Sequence, residues 1–352
     1  MANQMTRSQT SPPANPIPPK KNLMKHRQLG YSELSVSPIC LGTMTFGVPV
    51  AEADAIRLVH QALDLGINFV DTANVYEGYD RFLGSPGGVA EEIVGKALVD
   101  RRDQVVLATK VCAPVGPGPD DRGLSAGHIK REAERSLKRL QTDVIDLYWI
   151  HWPDKETPLD ETLTAMDQLV REGKVRYIAA SNFNAARLCE CRWIADSKDL
   201  APVVGSQIPY SLLRREFHND LEFCERFEIG VTPYQPLQGG LLTGKYQRGQ
   251  SPPDQSRGDK KPQWLWELND ALFDQLEALE ALAREIEVPM AQYALAWALQ
   301  QPAMTSMIVG ATKIEQVQDA VAAAEIQIPA EQLVQIDAIC PPPWQQPDPI
   351  RG

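Results

Sequence analysis

The sequence predicts an α/β fold, a single-domain (β/α)8 TIM barrel, and three observations carry the prediction. Eight short apolar runs punctuate the chain, and amphipathic stretches with apolar residues three and four positions apart stand between them. The 352 residues suit one barrel of the usual ~250 residues with extensions. Hydrophobic residues make up 43% of the chain, enough for one large core. An open doubly wound sheet would share the alternation, but eight is the barrel number.

Taken in order, residues 1–23 are rich in Pro, Ser, Asn and Gln, with few apolar anchors, and are expected to form a flexible tail. KHRQLGYSELSVSP alternates and turns, which predicts a β-hairpin plugging the lower end of the barrel. The core strands are expected in SVSPICLGT, INFVD, QVVLATK, DVIDLYWIH, VRYIAAS, PVVGSQ, EIGVTPYQ and TSMIVGA. Helices are expected in EADAIRLVHQALDLG, GHIKREAERSLKRL, LDETLTAMDQLVREG and NAARLCECRWIADS, each with a stripe to lay on a sheet. Ser125 precedes one of them as a cap, and Gly66 and Gly173 close two others. A long loop and helical insertion, opening with TGKYQRGQSPPDQSRGDKKPQ, separates strands 7 and 8 of the barrel. The prolines of CPPPWQQPDPIRG end the last helix, so the domain is expected over 24–340, with a second tail over 341–352.

The net charge of -11 supplies no basic footprint for nucleic acid. No apolar run reaches the ~20 residues that span a bilayer, and the N-terminus lacks the apolar stretch of a signal peptide, so a cytoplasmic protein is expected. The six cysteines show no paired CxxC spacing, and Cys189 and Cys191 point to different faces of one helix, so no metal site is expected.

Residues with chemical roles gather where barrel strands end. Asp71, Lys110, His151, the pair Ser181 and Asn182, and Gln207 stand at the ends of five successive strands. Each has a structural explanation when taken singly, and the set carries the inference. Tyr76 follows Asp71 by five residues. A tyrosine of ordinary pKa ~10 is a weak acid, and Lys110 is expected to lower it, with Asp71 holding the ammonium and His151 sharing the substrate oxygen. A proton donor without a metal or a nucleophile pair suits carbonyl reduction, which needs hydride from a cofactor. No GxGxxG follows a strand, whereas VGATKIEQVQDA sets glycine, threonine and lysine where the last strand meets a helix, a suitable phosphate site.

GTMTFG, FVDTANVY, LATK, WIHWPD, IAASNF, SQIPYSLLRR, PYQPLQGGLLTGKY and VGATKIEQ together resemble the aldo-keto reductase family over about residues 25 to 340. The resemblance implies a catalytic tetrad of Asp71, Tyr76, Lys110 and His151, with Tyr76 as general acid. It implies NADP(H) as cofactor: Ser181, Asn182 and Gln207 at the carboxamide, Tyr210 stacked on the nicotinamide ring, and Gly42, Thr43 and Met44 nearby. Tyr234, Gln235, Pro236, Leu237, Gly239, Leu241 and Lys245 would close over the pyrophosphate, and Gly310, Thr312, Lys313 and Gln316 would take the adenosine 2′-phosphate. Substrate would meet Tyr76, His151, Met44, Phe46 and Trp152, with Trp264 and Trp266 from the insertion. The chain departs from the family pattern at Ala179 and Ala180, where glycine is common, and near Asp319 and Ala320, where an asparagine is common.

These readings give an NADPH-dependent reductase of aldehydes and ketones whose partner is a small carbonyl compound. A nucleotide-sensing protein like the potassium-channel β-subunits is the competing class, and a barrel lyase or hydrolase, with no need of NADPH, is a third.

Overall fold

The computed structural model describes residues 24–343. The expected tails over 1–23 and 341–352 lie outside those residues, apart from Pro341, Pro342 and Pro343. A two-stranded antiparallel hairpin, β1 (Arg27–Gln28) and β2 (Ser35–Val36), comes first. Strands and helices then alternate: β3 (Ile39–Gly42), α1 (Glu52–Asp64), β4 (Phe69–Asp71), α2 (Val89–Leu98), β5 (Val106–Val111), α3 (Ala126–Leu140), β6 (Ile145–Ile150) and α4 (Leu159–Arg171). The alternation continues with β7 (Val175–Ser181), α5 (Ala185–Lys198), β8 (Val203–Gln207), α6 (His218–Arg226) and β9 (Gly230–Val231). The insertion holds α7 (Arg257–Lys260), α8 (Asp270–Glu285) and α9 (Met290–Leu299), and β10 (Met307–Gly310), α10 (Ile314–Ala323) and α11 (Ala330–Ile339) complete the chain.

The eight strands β3 to β10 form one parallel sheet in the order β10-β3-β4-β5-β6-β7-β8-β9. The sheet curls strongly, so that its two ends meet: Thr305 N donates to Val231 O at 2.9 Å and Ile308 N to Pro233 O at 3.0 Å. Strand β9 is shorter than the apolar run EIGVTPYQ suggests, because Pro233 and Pro236 lack the donors that a ladder needs.

Alternation along the strands divides the core in two. Cys40, Phe69, Ala108, Leu147, Trp149, Ala179, Val204 and Ile308 face inward, and the hairpin adds Leu29, Leu34 and Val36 to this cluster. The hairpin sits against the sheet as expected of a plug. A Cβ on Gly30, which has φ +56°, would lie 2.4 Å from Val204 O and 2.5 Å from Glu228 O. The outward residues, such as Leu41, Val70 and Tyr148, pack under the helices.

Ser125 caps α3 by accepting from His128 N, and Gly66 and Gly173 take positive φ just past α1 and α4. Helix α2 was not singled out by periodicity. Its Gly95 carries a low helix propensity but has a packing reason, since a Cβ there would lie 2.3 Å from Arg139 O of α3. No helix among the described residues is long and apolar enough to cross a membrane.

Candidate active site

Because the strands are parallel, their C-terminal ends open on one side, and β4, β7 and β8 end there on Asp71, Ser181 and Gln207. Lys110 is the penultimate residue of β5, and His151 follows β6. Lys110 is fully buried, and its ammonium donates to the Asp71 carboxylate, to Thr72 O at 2.7 Å and to Tyr76 Oη at 3.2 Å. All three protons of the ammonium are thereby used. Burial works to strip its proton, but Asp71 and Tyr76 outweigh burial and raise its pKa. Asp71 is held from two further sides: Gln207 Nε2 donates to Oδ1 at 3.1 Å, and Thr43 N and Oγ1 both donate to its carbonyl at 3.1 Å. Removing either member of this buried ion pair would strand the other charge, at a cost of ~3–5 kcal/mol.

One expectation is corrected here. Lys110 does favour the Tyr76 phenolate, but desolvation of the phenol is the larger effect, so its pKa lies above the usual tyrosine value. The phenol is therefore protonated, which is the state a proton donor requires. His151 stands edge-on to Tyr76, with ring centroids 5.9 Å apart. Burial and the cations Lys110 and Arg81 hold its imidazole well below the usual histidine pKa, so the ring is neutral. Its Nδ1 is buried without a hydrogen-bond partner among the described residues.

Beside this cluster, Asn182 adopts φ +64° and ties three strand ends together. It donates to His151 O and to Ser181 Oγ, both at 3.0 Å, and accepts from Tyr234 Oη at 2.8 Å. The structure thus brings Asp71, Tyr76, Lys110, His151, Asn182, Ser181, Gln207 and Tyr234 together. Met44 is half-buried, and Trp152 is exposed and stacked on His151 at 5.8 Å.

Other expected residues sit differently. Phe46 is wholly buried in the outer core, away from solvent. Tyr210 has no exposed surface; its ring stacks on Trp297 at 5.5 Å and its hydroxyl meets His218 Nδ1, so the ring is closed to a ligand. Leu241 and Pro236 are buried, and Gly42 and Thr43 are enclosed beneath the mouth. Gln235 accepts from Arg214 at 3.5 Å.

The chain after Leu237 makes a tight double turn, with φ +69° at Gly239 and +96° at Gly240. Lys245 lays its ammonium against Gly240, and Arg257 lies against Gly239. Burial and the neighbouring Arg257 depress the pKa of Lys245. Neither cation is paired with a carboxylate among the described residues, and Arg257 reaches only Tyr79, at 3.5 Å. Trp264 packs edge-on to Tyr79 at 5.5 Å, so the insertion reaches across to the β4–α2 loop. Trp264 and Trp266 remain 45% and 42% exposed, so apolar surface remains open there. Past the exposed Gly310, at the start of α10, Gln316 Oε1 accepts from Thr312 N at 2.7 Å and Lys313 N at 3.3 Å, and the Lys313 side chain is exposed.

Sequence reasoning missed Arg257, Tyr79 and Arg81. Arg257 lies in a polar stretch without periodicity, with Asp254 and Asp259 close by in the chain, so nothing in the sequence singles it out as a cation without a carboxylate partner. Arg81 joins two rim loops by donating to Val75 O at 2.9 Å and Pro114 O at 2.5 Å.

Comparison with known proteins follows the same lines. The model of the Aldo/keto reductase family matches residues 38–341. The uncharacterized oxidoreductase YrpG of Bacillus subtilis is 40% identical over 328 residues, covering 91% of this chain and 97% of that one. A probable voltage-gated potassium channel subunit beta of Arabidopsis thaliana is 34% identical, covering 86% of this chain and 92% of its own. The L-glyceraldehyde 3-phosphate reductase of Escherichia coli O157:H7 is 32% identical, over 91% and 93% of the two chains.

Proposed function

The chain belongs to the aldo/keto reductase family and is an oxidoreductase, and from that premise we propose that it reduces aldehydes or ketones to alcohols with NADPH, in a closed (β/α)8 barrel. The observation that carries this reading is the Lys110 ammonium, bonded at once to Asp71 and, at 3.2 Å, to the Tyr76 hydroxyl.

The residues present fit a nicotinamide dinucleotide. Lys245 and Arg257, beside the Gly239–Gly240 turn and without a carboxylate partner among the described residues, suit a diphosphate. Backbone amides at the start of α10, with Lys313 beside them, suit a further phosphate, whose oxygen would take over the amides that Gln316 now satisfies. Lys313 is the reason to favour NADPH over NADH. When bound, the cofactor supplies hydride to the carbonyl carbon.

The protein's part is to move and place a proton. Tyr76 gives its hydroxyl proton to the carbonyl oxygen as negative charge develops there, and takes one back from solvent afterwards. Lys110 stays charged and stabilises the transient phenolate, while Asp71 keeps the ammonium oriented. Neutral His151 donates a hydrogen bond to the same oxygen, and the orphaned buried Nδ1 supports the presence of a polar ligand beside it. Met44, Trp152, Trp264 and Trp266 offer apolar surface to the remainder of the substrate, and such surface discriminates weakly between similar carbonyls.

Tyr76→Phe removes the proton and keeps the ring. It should bind NADPH as the parent does, and its single-turnover oxidation of NADPH by an aldehyde should slow by about a hundredfold or more. An unchanged single-turnover rate would exclude Tyr76 as the acid. The potassium-channel-subunit relatives motivate a second reading, a nucleotide sensor, which would bind NADPH tightly without comparable turnover.

A further inference from the structure

Behind the candidate site, on the outer face of the sheet, lie two carboxylates with no exposed surface, Glu91 of α2 and Glu132 of α3. Arg139 joins them: Nε donates to Glu91 at 2.6 Å, and a terminal nitrogen stands 3.9 Å from Glu132. Arg135 takes the other oxygen of Glu132 at 2.8 Å. Each carboxylate also holds one residue next to the site. Thr109, the neighbour of Lys110, donates to Glu91 at 2.5 Å. Asn74, two residues before Tyr76, is fully buried and donates to Glu132 at 3.0 Å.

Strand β5 fixes Lys110, but Tyr76 lies on a loop that needs its own ties. Asn74 N meets Lys110 O at a long 3.3 Å, and Ala90 N of α2 meets Tyr76 O at 3.0 Å. Well-packed apolar residues would hold α2 against α3 as firmly as buried charges do, and without the desolvation cost. Directional bonds to the two segments that carry the proton-donating pair are what the charged arrangement adds.

We propose that Glu91, Arg139 and Glu132 form a brace which, through Thr109 and Asn74, sets the separation between Lys110 and Tyr76. Asn74, Thr109, Glu91 and Glu132 are positioning residues, acting on Tyr76 from outside the barrel. The inference rests on the reading that Lys110 and Tyr76 are the proton-donating pair.

The test uses the full chain in three forms: Asn74→Ala, Thr109→Val, and the exchange Asn74→Asp with Glu132→Gln, which rebuilds the hydrogen bond with donor and acceptor reversed. For each, crystal structures give the Lys110 Nζ to Tyr76 Oη separation, and kinetics with a simple aldehyde give kcat, KM and NADPH affinity. In the two single variants the separation should exceed hydrogen-bond range, about 3.5 Å, and kcat should fall about ten- to a hundredfold with KM and NADPH affinity within about twofold of the parent. The exchange should recover most of the loss. An unchanged separation in both single variants overturns the brace. So does a loss shared equally by kcat and NADPH affinity, the mark of a general structural role. If Asn74→Ala does not fold, Thr109→Val decides by the same two readouts. A parent that oxidises no NADPH would sink the reductase reading, while the crystallographic separation would still decide the brace.

Discussion

Tyr76 is pulled in two directions by its surroundings, and the outcome can be measured. Desolvation raises its pKa, Lys110 at 3.2 Å lowers it, and desolvation prevails. The phenol should keep its proton past the usual tyrosine value of about 10. Alkaline difference absorbance between the parent and Tyr76→Phe isolates this one ionisation from the other tyrosines. A midpoint between about pH 7 and 9 would mean that the cation outweighs burial. The sequence made the identity of this cluster legible, because polar residues ending five successive apolar strands must converge once the strands are parallel. It did not make the balance of forces legible, since residue types name the charges but not how deeply a phenol is buried. The same limit hid the complete burial of Tyr210 against Trp297. Arg257 was missed because its position depends on how an aperiodic loop folds.

Among the elements, the eight strands and the helices with wide apolar stripes were readable from their periods, and the hairpin from its alternation and turn. Strand β9 was overestimated even though Pro233 and Pro236, which offer no donor to a ladder, stand in and beside the run. Helix α2 was overlooked, and the cause lies in packing. Gly95 breaks its helical propensity locally, yet brings its backbone against Arg139 O of α3. Gly95→Ala should therefore be destabilising despite alanine's better propensity, by about 1–3 kcal/mol of overpacking. Chemical denaturation measures this, and a stabilised variant would show that the α2–α3 contact has room to relax. The same contact carries the Glu91, Arg139 and Glu132 brace, so α2 is the helix on which packing and site geometry coincide.

For the molecule as a whole, the parallel curl of the sheet gathers the strand ends on one side, where the β9–β10 insertion reaches Tyr79 and Thr45 Oγ1 donates to Ala311 O just before α10. The tetrad-like cluster and the two groups of cation and amide donors lie on separate elements, and a ligand that spans them would couple binding to reaction. The insertion was legible as a long connection, but its reach to Tyr79 was not, because nothing in a polar stretch records what it packs against. The measurement that tests the central claim most directly is titration of the purified protein with NADPH and with NADH by tryptophan fluorescence, followed by addition of 4-nitrobenzaldehyde while nicotinamide absorbance is recorded. Tight NADPH binding, weaker NADH binding and loss of the reduced-nicotinamide absorbance are predicted. Absence of binding to either nucleotide would contradict the account, and tight binding without oxidation across a broad set of carbonyls would contradict the reductase reading in favour of a nucleotide sensor.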